Sequence, residues 1–147
     1  MKLASPLGLV LIASVFLFTQ PAYADRPAIS GYSPVSYFDP GYPQRGSPDH
    51  SISYNGRTFW FVDAEQKARF EESPAKYEPL FPEHCPYNLA LGRQAAIDPH
   101  NFRIIDSGLL LFHRSEEMDG REEWRKSELS ERELLRRARH QLTLFRF

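Results

Sequence analysis

Hydrophobic and polar positions change period several times along this chain, and each change marks an element. A largely apolar run, Leu7 to Phe18, follows a single basic residue, Lys2. Ser33-Pro34 sets a capping residue before a proline at a first helical position, which predicts a short helix through Phe38. The proline- and glycine-rich stretch DPGYPQRGSPD predicts an irregular surface loop. In SISYNGRTFWFV the period falls to two, and Asn55-Gly56 carries the signature of a type I′ hairpin turn. Alternation sets Ile52 and Tyr54 on one face, Phe59 and Phe61 together on the second strand, and Trp60 opposite. In DAEQKARFEES the helical period returns, with Asp63 as cap, Gln66 as its capping-box partner and Phe70 turned inward. Ser73-Pro74 ends that helix and begins a turn carrying Tyr77. A further short helix is predicted from Pro86 to Leu91, closed by Gly92. FRII and LLLFH predict two strands joined through Asp106-Ser107-Gly108. From Ser115 the chain is highly charged, and Leu134, Ala138, Leu142 and Phe145 recur at helical spacing. The class predicted is α+β: antiparallel hairpins with short helices, then a C-terminal amphipathic helix.

The apolar run at the start changes how the whole chain is read. With Lys2 before it and Ala22-Tyr23-Ala24 after it, residues 1–24 have the form of a cleaved signal peptide. The run is too short to cross a bilayer of roughly 30 Å as a helix. The expectation is therefore an exported protein, periplasmic or secreted, that is not an integral membrane protein once processed. Residues 25–147 suit one domain with one core. A net charge of −1 argues against nucleic acid as a main partner. Cysteine occurs once, so no disulfide can form within the chain, and a core rich in aromatics must supply the stability.

The order of these elements, and four stretches in particular, resemble the secreted bacterial YHS-domain proteins. The stretches are AISGYSPVSYFDPG, SYNGRTFWFVDAEQKARFEESPAKYEPLF, HCPYNLALGRQAAIDPHNFRIID and LLLFHRSEE with the later EEW. The resemblance covers residues 28–126 as a YHS-like domain and leaves 127–147 as a charged amphipathic helix outside it. It implies a small α+β fold related to treble-clef-like metal-binding domains. Metal-binding relatives have cysteines where Val62 and Gln66 stand here. Valine cannot coordinate a metal and glutamine is a poor ligand for a soft one, so thiolate binding does not carry over. In the secreted branch the position of Cys85 lies in a different local motif, flanked here by His84 and Pro86.

Cys85 is the candidate that composition singles out. Pro86 suits a first helical position, so Cys85 falls at the N-cap, where backbone N–H groups and the helix dipole favour a thiolate. Asn88, three residues on, is in reach to donate a hydrogen bond to it, and a protonated His84 would add to the effect. Three readings stand side by side. Cys85 with His84 and His113 would form a metal site suited to Cu(I) or Zn(II). Alone, Cys85 would be a low-pKa redox thiol, oxidised to a sulfenic acid, a mixed disulfide or a linked dimer. As a small buried hydrophobe it would be part of the core of a purely structural or protein-interaction module.

Weaker candidates surround it. Asp98, His100 and Asp106 form an imaginable acid-base cluster, yet IDPH and IDSG are ordinary turn sequences. Tyr54, Phe59, Trp60, Phe61 and Tyr77 read as core before they read as a ligand pocket. No phosphate loop, serine-nucleophile motif or zinc-helix motif is present. In the last helix Ser130 and Glu133 form a capping box, with arginines late. Arg136, Arg137, Leu142 and Phe145 there are candidates for binding a protein partner or an anionic membrane surface, against the plainer reading that the helix docks on its own domain. The function expected is an accessory or binding module, more readily than an enzyme.

Overall fold

The structure, a computed structural model, describes residues 26–145; the predicted signal peptide, 1–24, lies outside the described residues. The fold is α+β, with two separate antiparallel two-stranded sheets. Strands β1 (Ser47–Tyr54) and β2 (Arg57–Phe61) meet at Asn55-Gly56. Those residues have φ of 49° and 73°, the left-handed values that a type I′ turn requires. Tyr54 pairs with Arg57 and Ile52 with Phe59, and an irregularity between Ser47 and Ser51 breaks the register. Strands β3 (Phe102–Ile105) and β4 (Gly108–Leu111) pair from Phe102 with Leu111 to Ile105 with Gly108.

Among the described residues, five α-helices connect and cover these sheets. Helix α1 (Ala64–Glu72) begins where Asp63 Oδ1 accepts the Gln66 N–H at 2.8 Å. Pro74 starts α2 (Pro74–Tyr77) and Pro86 starts α3 (Pro86–Ala90), each supplying a first residue whose missing N–H costs no bond. Gly92, at φ 75°, closes α3 by donating to the Leu89 carbonyl. Helix α4 (Gly120–Lys126) was not legible in the hydrophobic pattern, because Trp124 is its one large apolar residue. Asp119 caps it, accepting from the N–H groups of Arg121 and Glu122. Helix α5 (Glu131–Leu144) begins at Ser130, whose Oγ accepts the Glu133 N–H.

Two local expectations are corrected. Residues 34–40 form consecutive turns rather than a helix, with the N–H groups of Phe38 and Asp39 both reaching the Val35 carbonyl. Ser33 does not cap them, because its buried hydroxyl donates to Gln66 Oε1 at 2.6 Å, across 33 residues of sequence. Gln66 for its part does not close a capping box. Its side chain takes the Ser33 hydroxyl and donates to Gln44 Oε1, so a long-range polar bridge replaces the local one.

The chain before β1 is held in a rare conformation. Ile29, Ser30 and Gly31 have φ of 55°, 54° and 83°, a left-handed turn that costs an L-residue roughly 1–2 kcal/mol each. Burial of the Ile29 side chain compensates, and Gly31 is required because a Cβ there would meet the Trp60 ring at 3.0 Å.

Strand β4 organises the core. All but its first residue are buried, and alternation sends them to opposite sides. Leu109 and Leu111 join Val35, Tyr37, Phe59, Phe61, Phe70 and Tyr77, the aromatic side of the core. Leu110 and the following Phe112 join Phe81, Cys85, Leu89, Trp124, Leu134 and Ala138. Helix α5 thus packs on its own chain: Leu134, Leu135 and Ala138 are buried, and Leu142 is partly buried against the same group.

Candidate functional site

Cys85 stands at the N-cap of α3, where the sequence sets it, but its surroundings are apolar and closed. Its exposure is 0%. Gly120, the first residue of α4, lies so close that a Cβ there would sit 2.8 Å from Cys85 Sγ. The thiol makes no capping hydrogen bond, and Asn88 does not serve it: its Nδ2 is turned toward Met118 Sδ at 4.0 Å. The Cys85 backbone is fixed separately, its N–H donating to the Ala95 carbonyl at 2.9 Å and its carbonyl accepting from Leu89.

The histidines expected beside the thiol make the following contacts. His113 Nδ1 lies 3.0 Å from the Ala96 carbonyl, and the His113 carbonyl accepts from both the Gly120 N–H and Asn101 Nδ2. His84 is half-buried and faces a cavity of about 160 Å³, lined also by Arg57, Phe81, Glu83, Leu142 and Phe145. Among the described residues, no group of three or more His, Cys, Asp or Glu side chains is gathered to hold a metal ion. Asp98, His100 and Asp106 are likewise not brought together. Asp98 accepts the His100 N–H as a turn residue, the His100 ring meets the Tyr32 hydroxyl at 3.0 Å, and Asp106 lies in the β3–β4 turn at the other end of β3.

A polar cluster that the sequence did not reveal clamps α4 over the thiol. Asn101 is fully buried; its Nδ2 donates to Asp119 Oδ1 at 2.9 Å and to the His113 carbonyl at 3.1 Å, while its Oδ1 accepts from Arg114. Arg114 also pairs with Asp119 at 3.3 Å and Asp98 at 3.6 Å. Burial raises the Asp119 carboxyl's affinity for a proton. The bonds from Asn101 and from the N–H groups of Glu122 and Arg121, with the Arg114 charge, outweigh it and hold the group below the usual carboxylate range. Its members come from three separate segments, so no local pattern announces them.

The candidate partner-binding residues divide between two concave places. Leu142 and Phe145 line the small cavity with His84. Arg57 and Pro82 form walls of that cavity and of two larger ones beside it, of about 310 and 570 Å³. Arg136 and Arg137 line a different groove, about 430 Å³, with Leu91, Gly92, His140 and Gln141. Both arginines hold one carboxylate: Glu133 accepts from Arg136 at 2.7 and 2.8 Å and from Arg137 at 2.7 Å. Those bonds pull the Glu133 carboxyl down to about 2. Among the described residues no helix is long and apolar enough to cross a membrane. Set against known proteins, the chain matches no family model, no curated protein and no solved structure.

Proposed function

We propose that this chain is an exported accessory module of the YHS type that acts by binding through its surface, with Cys85 as a core residue. The observation that carries this reading is the closed position of the thiol. Reactive cysteines work from partly exposed, electropositive surroundings, whereas Cys85 has no exposure and lies against Gly120 among apolar side chains. The polar cluster beside it spends its hydrogen bonds on fixing backbone and on capping α4. Among the described residues, the thiol makes no capping hydrogen bond and no group of three or more ligating side chains gathers.

The test is a pair of measurements on the reduced protein. A thiol reagent should modify native Cys85 only as fast as the chain opens, with a rate that rises with urea in step with global unfolding. A Cu(I) competition titration should then give the same curve for the wild type and for Cys85→Ser. Fast labelling in the native state, or stoichiometric Cu(I) binding lost in Cys85→Ser, would overturn the reading in favour of redox or soft-metal chemistry.

A further inference from the structure

Helix α5 buries Leu134, Leu135 and Ala138 and turns a second stripe to solvent. Arg136 and His140 are four residues apart, and Arg137 and Leu144 seven apart, so all four lie on that outer stripe. Their charge is one-sided. After Glu133 the sequence has no acidic side chain, although the whole chain is close to neutral. Glu133 is shared between Arg136 and Arg137, so one carboxylate faces two guanidiniums. Large apolar side chains stand exposed at the same end: Leu91 at 44%, beside the basic groove, with Leu144 at 52% and Phe145 at 39% at the end of the helix.

From this arrangement we propose that the α5 face docks on a bilayer surface bearing anionic phospholipid headgroups. Guanidinium groups take phosphate oxygens in paired hydrogen bonds, and the helix uses arginine throughout and no lysine. Leu91 and Leu144 are both exposed large apolar side chains. A folded acidic partner would need a shaped counterpart of roughly 800 Å² to seat them, while a fluid interface accepts protruding apolar side chains as they are. The binding is peripheral. The inference rests on reading the chain as a surface-binding module, and it stands or falls separately from the thiol experiment.

The experiment uses processed protein, its N terminus verified by mass, and co-sedimentation with vesicles of phosphatidylglycerol and phosphatidylcholine in equal parts or of phosphatidylcholine alone. Binding is expected to the anionic vesicles, weakening as salt rises. Each cation near such a surface contributes roughly fivefold, so Arg136→Gln with Arg137→Gln should weaken binding about 30-fold. Glu133→Gln should strengthen it about fivefold by freeing both arginines. Leu91→Ser with Leu144→Ser should weaken it with an unchanged circular dichroism spectrum, and Lys67→Gln, on α1, should have little effect. Equal binding to both vesicle types, no binding to either, or variants indistinguishable from wild type would overturn the proposal. So would capture of the protein by immobilised polyglutamate with the same mutational pattern and none on vesicles, which would make the occupant an acidic polypeptide.

Discussion

Replacing Gly120 by alanine tests how the thiol is closed in. The added Cβ would lie 2.8 Å from Cys85 Sγ and 3.2 Å from the His113 carbonyl oxygen. The first distance is roughly 0.7 Å inside the ~3.5 Å at which nonbonded atoms reach favourable separation. Cys85 is fully buried and its backbone is tied at both N–H and carbonyl, so the strain cannot be relieved by a surface side chain swinging away. Overpacking of this kind costs about 1–3 kcal/mol, against a helix-propensity gain from Gly to Ala of at most about 1 kcal/mol. Cys85→Ala alone should cost about 1 kcal/mol, for a small unfilled space. In the double variant the new methyl group occupies the space the sulfur leaves, so the two losses should not add. Urea unfolding of the four proteins should show a coupling of about 1–2 kcal/mol favouring the double variant. With a slope of roughly 1–3 kcal/mol per molar urea, this is a midpoint shift that is easily read. Losses that simply add would refute the close packing of Cys85 against α4.

Two further outcomes follow from local geometry. Ser30 is exposed and left-handed, so Ser30→Gly should stabilise by about 1 kcal/mol in urea unfolding; a lower midpoint would mean that the turn is held by the serine itself. Asp119 should titrate below an ordinary aspartate in carboxyl-detected NMR, and Asn101→Ala should raise it, because Asn101 supplies the foremost of the bonds that depress it. Since the folded value lies below the unfolded one, this part of the stability is present above about pH 4 and is lost as the pH falls through the lower folded value. An Asp119 that titrates normally in the native protein would rule out the clamp.

What was legible in the sequence was what neighbours decide. Asn55-Gly56, Asp63, Pro86 with Gly92, and Ser130 act within four or five residues, and each stands at its expected turn or cap. Ser33 and Gln66 have the same local credentials, yet a hydroxyl buried beside a glutamine amide spends its bond across the fold. The Asn101, Arg114 and Asp119 cluster was illegible for the same reason: its chemistry depends on which distant segments meet. Cys85 was located correctly, and burial was among its three readings, but the choice between them stayed open because exposure depends on α4, which the hydrophobic pattern did not reveal.

Strand β4 also governs how damage travels. The hairpin with its aromatic residues and the C-terminal helix belong to different halves of the core, which meet across the alternating faces of a strand four residues long. A fault at Leu109 is felt first by the hairpin, and one at Leu110 first by α5, but neither half keeps its inner wall when the strand gives way. A party wall of this sort makes two small cores, each too small to persist alone, melt as one.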